Sequence, residues 1–230
     1  MDVLINGIPL SSYGGEALSD YTIGETEYKP ETLQGLNRTN WILLHNQFGM
    51  REIRVNIVFK GPTMHQAKIN RSRLNSVLFE PVDLTIVEDG FSYRAICTDL
   101  GREIRIGAVD TEGQIKAEYT FSGIRHDPLV SLEVAAGDKV YCLSTMPYTD
   151  CRLTATVSSG TSFNLGGATF TDVAANDVLV FDGINKLVTV NGVNHALKTS
   201  FTQFPCLVPG ENTITATGGN VLVEYEPAYA

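Results

Sequence analysis

Histidine and cysteine, which commonly catalyse reactions or bind metals, occur only four times each in this 230-residue sequence and are scattered along it. The histidines are His45, His65, His126 and His195, and none has HExxH or paired i, i+4 spacing with a carboxylate. His126 and Asp127 are neighbours, but a catalytic pair is assembled in space, so their adjacency indicates nothing. Phosphate-loop (GxxxxGKS/T) and nucleophile-elbow (GxSxG) motifs are absent from the sequence. The sequence therefore predicts a protein that is not an enzyme, with no catalytic, cofactor or metal site.

The cysteines do not form a metal-binding or redox motif either. They are Cys97, Cys142, Cys151 and Cys206, and no two are spaced as CxxC. Without a secretory signal, reduced and mostly buried thiols are expected. Cys142 and Cys151 could face each other across a hairpin, which makes them the one candidate disulfide under oxidising conditions.

Charge and hydropathy exclude two classes of partner. The formal net charge is −9, which leaves no basic surface for a phosphate backbone, so we expect no binding to nucleic acid. No apolar run approaches the ~18 residues needed to span a bilayer, so we expect no membrane insertion. The chain begins Met1-Asp2-Val3 without a basic signal segment, which predicts synthesis in the cytoplasm without export.

Short runs of alternating apolar and polar residues, separated by turn residues, indicate antiparallel strands along most of the chain. Asn6-Gly7 and Asp182-Gly183 each lie between such runs, and both dipeptides favour the positive φ angles of a tight hairpin turn. Residues 218–220 (GGN) are expected to join a further hairpin, formed by residues 213–217 and 221–225.

One helix is expected, over residues 63–79. Thr63 and Gln66 have capping-box spacing, and Pro81 follows the helix and stops it. An apolar stripe at helical spacing is expected to pack against a sheet; it consists of Met64, Ala67, Leu74 and Leu78. The basic residues nearby are expected to form a solvated face; they are Lys68, Arg71 and Arg73.

The order of elements predicts a mostly β protein of two domains. Residues 126–128 (HDP) interrupt the strand pattern, and the helix lies before them while only strands and turns follow. We therefore expect two domains. Residues 1–128 form an N-terminal β-sandwich-like domain that contains the one helix, and residues 129–230 form an antiparallel C-terminal β-sandwich.

A long segment of the first domain, residues 20–50, does not have the pattern of a compact core. It is polar as far as residue 40 and then becomes abruptly apolar at Trp41, the only tryptophan of the chain. Two interpretations stay open, an ordinary core position for Trp41 or an arm whose apolar residues meet another subunit, because exposed apolar patches mark interfaces. The candidates for such an interface are Tyr28, Leu33, Trp41, Ile42, Leu43 and Leu44.

Both the C-terminal and the N-terminal part of the chain resemble the phage distal tail protein family, the ring-forming proteins at the tip of long non-contractile tails. Near the C-terminus the resemblance lies in residues 181–192 (FDGINKLVTVNG) and 204–227 (FPCLVPGENTITATGGNVLVEYEP). In the N-terminal part it lies in the opening strand with Asn6-Gly7, the long arm, the alternating strand 51–59, the single helix, and the strand pair around DGFSYRA (89–95). Together these stretches extend over nearly the whole chain.

The resemblance implies a structural virion protein at the phage tail tip. It implies a homohexameric ring that connects the tail tube protein to a tail-associated lysin, tail fibre or receptor-binding protein, and a galectin-like or carbohydrate-module-like second domain. The alternative is a carbohydrate-binding module acting in attachment to the host surface. Against it, residues 129–230 contain no tryptophan to serve as an aromatic platform for a sugar ring.

Overall fold

The computed structural model describes the backbone of residues 1–34, 41–106 and 113–230, and the side chains of all of these except 34 and 41–47. Within this part of the chain the secondary structure is mostly antiparallel β with one α-helix, so the predicted fold class is confirmed. No helix in the described residues combines the length and the apolar character that crossing a bilayer requires.

The chain divides into two compact units, Met1–His126 with Ala230, and Asp127–Tyr229. That the units correspond to domains 1–128 and 129–230 stays a prediction, because a domain is also defined by folding on its own.

The first unit contains an antiparallel sheet, one helix and a separate hairpin. Its strands are β1 (Val3–Ile5), β2 (Ile8–Pro9), β3 (Gly15–Ala17), β4 (Thr22–Ile23), β5 (Tyr28–Gln34), β6 (Trp41–Phe48), β7 (Arg51–Gly61), β8 (Val82–Ile86), β9 (Phe91–Asp99), β10 (Ile104–Ile106) and β11 (Gly113–His126). The order in the sheet is β2-β1-β8-β9-β11-β7-β3, with β10 also paired to β11 and β4 to β7. The 3₁₀ turn Leu10–Tyr13 connects β2 to β3.

Strands β7 and β11 form the longest strand pair of this sheet. They pair from Gly61 opposite Gly113 to Arg51 opposite Gly123. Every second residue of β7 from residue 51 to 59 is buried, as the alternating sequence predicted. The opposite positions of β11 alternate in the same phase, with Tyr119 and Phe121 in the core.

The helix α1 (Met64–Val77) packs against β7 and β11. Its cap is half of the predicted capping box: Thr63 Oγ1 accepts from the Gln66 backbone N–H at 3.2 Å, but the Gln66 side chain donates to Asn70 Oδ1 at 3.0 Å and does not reach back. Three of the four predicted stripe residues are buried and Met64 is half-buried.

One of the three basic residues assigned to a solvated face was assigned wrongly. The Arg71 side chain is only 15% exposed, and its Nη2 donates to the carbonyls of Leu100 and Gly101 at 3.1 and 2.9 Å. The guanidinium therefore ties the helix to the loop after β9, a contact that periodicity within the helix could not predict.

The second unit is an antiparallel sandwich. Its strands are β12 (Val130–Ala135), β13 (Lys139–Cys142), β14 (Thr149–Thr156), β15 (Ser162–Leu165), β16 (Ala168–Thr171), β17 (Val178–Asp182), β18 (Leu187–Val190), β19 (Val193–Asn194), β20 (Thr199–Ser200), β21 (Cys206–Leu207), β22 (Gly210–Thr213), β23 (Asn220–Tyr225) and β24 (Ala228–Tyr229). One sheet has the order β12-β23-β14-β17-β18-β19, with β21 also paired to β14. The small sheets β13–β22 and β15–β16–β20 contribute to the same core, and a 3₁₀ turn, Ala196–Lys198, precedes β20.

Of the two dipeptides predicted to have positive φ angles in a hairpin turn, one does and the other does not. Asn6 and Gly7 have φ angles of 52° and 75°, as the β1–β2 hairpin required. Between β17 and β18 the positive φ belongs to Lys186 (56°) and not to Gly183. There Asp182 Oδ1 accepts the backbone N–H groups of residues 184 and 185 at 2.8 and 2.9 Å, which closes the turn through a side chain.

The hairpin expected around residues 218–220 is wrong. Strand β22 ends at Thr213 and pairs with β13, whereas β23 pairs with β12 and β14. The buried phase was correct, since Ile214 is 4% exposed, but the pattern contains no information on which strand is the neighbour.

All four thiols are free. Cys142 and Cys151 lie on β13 and β14, which pair with other strands, so the two residues are not opposite each other in a hairpin. Burial raises the pKa of the Cys151 thiol to about 12, so this thiol stays protonated and inert near neutral pH.

Candidate assembly interface

The hairpin β5–β6 is the part of the first unit that stands apart from its sheet. The two strands pair from Tyr28 opposite Phe48 to Gln34 opposite Trp41, and the register shifts by one residue between Glu31 and Thr32. Among the described residues, neither strand pairs with any other strand. A two-stranded ribbon alone is marginally stable in water, so a contact with another surface would stabilise it.

The root of the hairpin is held by the strands beside it. The Gly49 backbone N–H donates to the Glu27 carbonyl at 2.7 Å, which brings the two ends of the ribbon together. The rings of Tyr28 and Phe48 lie 5.4 Å apart at the first pair of the ribbon. Below it, β4 pairs with β7, and the Gly24 N–H donates to the Glu52 carbonyl at 2.8 Å.

Two of the six predicted interface residues can be described in full. Tyr28 and Leu33 are 51% and 57% exposed, which is high for large apolar side chains on a strand. The sequence-based expectation that the segment projects apolar residues is consistent with both values.

The other four candidates lie on β6. By backbone register Trp41, Ile42 and Leu43 are opposite Gln34, Leu33 and Thr32, and Leu44 is next to Leu43. Their side chains lie outside the described part of the chain. All six candidates are thus on one hairpin, and their role at an interface stays a prediction.

Arg51, at the foot of the hairpin, is a residue that sequence reasoning missed. It is 8% exposed; its Nη1 lies 3.4 Å from the Gly24 carbonyl and 3.9 Å from a carboxylate oxygen of Glu25. This guanidinium connects the start of β7 to the chain just before β5, at the foot of the hairpin. The signal was present in the sequence, because Arg51 has the same strand phase as the buried residues Ile53 and Val55.

An acidic crevice of about 400 Å³ lies beside this root. Its lining includes three carboxylates and the partly exposed Met50; the lining residues are Gly24, Glu25, Glu27, Met50, Glu52, Thr98, Phe121 and Ser122. Each of the carboxylates has a basic neighbour within the chain: Arg51 for Glu25, Lys29 for Glu27 and Arg54 for Glu52.

Two of the histidines have polar neighbours in the described part of the chain. His195 Nε2 lies 2.7 Å from the Thr171 carbonyl, and His126 Nε2 lies 3.6 Å from Asp83 Oδ1. In the residues the structure describes, no group of three or more His, Cys, Asp or Glu is arranged to hold a metal ion.

The second unit has a crevice that bears on the alternative of a sugar site. Its volume is about 160 Å³ and its lining includes Phe204, Gln203 and Asn212. Ligand pockets usually begin at about 300 Å³, so this crevice is small even for one sugar ring. Several of the aromatic residues of this unit are buried in its core; they are Phe163, Phe170, Phe181 and Tyr225.

Comparison with known proteins gives one family and several solved structures. Residues 144–229 match the family model described as "Siphovirus-type tail component, C-terminal domain". The crystal structure of the SPP1 Dit (gp 19.1) protein, described as a paradigm of the hub adsorption apparatus in phages that infect Gram-positive bacteria, is similar over 100% of this chain and 99% of that one, with 14% identity and a TM-score of 0.70.

Chains of the phage p2 baseplate in its activated conformation are also similar. With Ca the TM-score is 0.54 at 7% identity, over 95% of this chain and 92% of that one; with Sr it is 0.55 at 7% identity, over 98% and 96%. No curated protein sequence matches this one significantly. The family match over residues 144–229 and the like fold over the whole length of the chain both agree with the resemblance to phage distal tail proteins that the sequence shows.

Proposed function

We propose that this protein is the structural hub of a phage tail tip and assembles as a homohexameric ring whose subunits are joined by the β5–β6 hairpin. The observation that carries the proposal is a ribbon that pairs with no other strand of the described residues and exposes Tyr28 and Leu33. The family match and the fold support the tail-tip role, because proteins of this fold occur in hub and baseplate structures.

The physical basis of the ring is a head-to-tail contact between identical subunits. An arm of one subunit on a different surface of the next is a heterologous contact, and such contacts close into a ring when their rotation divides the circle. Six copies match the six-fold symmetry that the resemblance implies for the tail. Within the virion the ring connects the tail tube protein to the tail-associated lysin, fibre or receptor-binding protein.

Removing the hairpin tests this proposal. Replacing residues 28–48 by two glycines is compatible with the rest of the fold, because Glu27 and Gly49 are already hydrogen-bonded at the root. The shortened protein is expected to keep the melting temperature of the wild type within a few degrees and to lose the six-copy ring.

The matched control is replacement of the β8–β9 turn, residues 87–90, by a turn of equal length, which leaves the hairpin intact and is expected to leave the ring intact. A ring that persists without residues 28–48 would refute the role of the hairpin. A variant with the hairpin removed that is unfolded by circular dichroism would show that the ribbon belongs to the core.

A further inference from the structure

The sandwich of the second unit has an open edge at β12. This strand is last in the order of its sheet and pairs, among the described residues, with β23 alone. Native proteins usually protect a free edge with proline, lysine or a bulge. Residues 130–135 (VSLEVA) have none of these, and Glu133 is their only charge.

The backbone groups on the free side of β12 can be identified from the hydrogen bonds at its end. The Ala136 N–H donates to the Gly219 carbonyl, and the register pairs Val134 with Val221. Because N–H and C=O groups of an antiparallel strand alternate in side, the even-numbered residues bond to β23. The N–H and C=O groups of Ser131 and Glu133 therefore point to the open edge.

The core-facing side chains of β12 are also incompletely covered. Val130, Leu132 and Val134 lie opposite Tyr225, Val223 and Val221, which are all at most 1% exposed. Leu132 is nevertheless 39% exposed, and Val130 and Val134 are only partly buried. The free edge thus combines unpaired backbone groups with an apolar stripe that one more strand would cover.

We propose that β12 pairs antiparallel with β12 of a second copy of this chain across a two-fold axis at Leu132. In this register Ser131 and Glu133 exchange backbone hydrogen bonds with Glu133 and Ser131 of the other copy, which makes four hydrogen bonds. Leu132 meets its own equivalent in a non-hydrogen-bonded pair, where side chains are closest. The sheet then continues through the contact.

A second copy fits this edge because the strand is complementary to itself. The register at Leu132 overlaps the whole stripe, with Val130 opposite Val134 on both sides of the axis. It also places each Glu133 opposite a serine, whereas a shift that centres the axis on residue 133 places two carboxylates opposite each other and is unfavourable. The contact is isologous and uses residues of the second unit only.

Cysteine cross-linking tests the contact even when it is weak. Across a non-hydrogen-bonded pair the Cα atoms are about 4.5 Å apart, within the range of a disulfide. Leu132→Cys in the full-length protein is therefore expected to form a covalent dimer rapidly under mild oxidation. The matched control is Ser131→Cys, because residues 131 of the two copies lie about 8 Å apart in this register, too far for a disulfide. The wild type controls for the four native thiols.

Charge variants test the register itself. Ser131→Lys places a lysine opposite each Glu133 and is expected to tighten the contact about tenfold, from two new cross-strand ion pairs. Adding Glu133→Lys to it places lysine opposite lysine and is expected to weaken the contact about tenfold relative to Glu133→Lys alone. Ser131 also lies opposite Glu224 within its own copy, and that neighbour is common to both comparisons.

The readout is the oligomer mass at equilibrium, which also separates this contact from the proposed ring. Loss of the two-fold contact halves the mass, from twelve copies to six or from two to one, while loss of the arm contact removes the factor of six. Equal cross-linking of Leu132→Cys and Ser131→Cys would overturn the proposal. An oligomer mass that is the same for Ser131→Lys and for Ser131→Lys with Glu133→Lys would also overturn it. That result is expected if a different tail protein, and not a second copy, covers β12.

Discussion

Shortening Leu33 to alanine is expected to weaken ring assembly without changing the stability of the subunit. The side chain is 57% exposed in the single chain, so little of its burial contributes to folding. Burying a leucine completely is worth about 1.5–3 kcal/mol. The exposed part leaves about 1 kcal/mol per subunit that can be gained only against another surface.

The effect accumulates around a ring. Six arms at about 1 kcal/mol each, distributed over five association steps, raise the concentration at half assembly about eightfold. Surface substitutions outside special contacts usually change stability by less than about 0.5 kcal/mol, so the melting temperature is expected to stay within about 2 °C of the wild type.

The assay is sedimentation velocity over a dilution series, with thermal unfolding measured on the same samples. The matched control is Leu197→Ala, the same substitution at a fully exposed leucine of the second unit; it is expected to change neither quantity. An unchanged assembly curve for Leu33→Ala would refute the proposed contact, and a lowered melting temperature would show that Leu33 is packed within its own subunit.

Three further predictions concern the subunit. Asn70→Leu removes the amide, on a side chain that is 9% exposed, that donates to the Lys60 carbonyl at 2.9 Å. Chemical denaturation is therefore expected to show a free energy of unfolding lower by about 1–3 kcal/mol, and an unchanged midpoint would contradict this. Gly183→Ala places a methyl group against the Pro205 carbonyl, so it is expected to lower the melting temperature by several degrees even though φ at this position is not positive; wild-type stability would contradict the close approach. Because burial raises the pKa of Cys151 to about 12, the intact protein at pH 8 is expected to leave Cys151 unmodified by iodoacetamide, with modification only after unfolding, as followed by peptide mass spectrometry.

The sequence predicts those features of the fold that depend on neighbours along the chain. Asn6-Gly7 determines its turn because the turn requires two positive φ angles in succession, and Thr63 caps the helix through a bond to a residue three positions away. Alternation identifies the buried faces of β7 and β11, because it too depends only on residues near each other along the chain.

The predictions that were wrong concern features that depend on neighbours in space. Residues 213–217 have the pattern of a strand, yet the partner of β22 is β13, some seventy residues earlier. The solvated face predicted for Arg71 was wrong because the carbonyls it binds come from the loop after β9. Sequence periodicity predicts neither contact, because it indicates which face of an element is buried and not which other element packs against it.

The candidate interface was accessible from the sequence as a contrast in composition. A polar stretch followed by an apolar cluster predicted an arm over residues 20–50, and the structure has the ribbon β5–β6 within it. The burial of Arg51 at its foot could have been predicted from strand phase, but its contacts with Gly24 and Glu25 required coordinates.

The most direct test of the central claim is the mass and symmetry of the intact protein in solution. Native mass spectrometry is expected to show about 151 kDa, six times the 25.1 kDa of one chain, or twice that mass if two rings pair. Negative-stain images of the same sample are expected to show closed six-fold rings. A protein that stays monomeric at all accessible concentrations, or that forms open chains without a closed ring, would contradict the account.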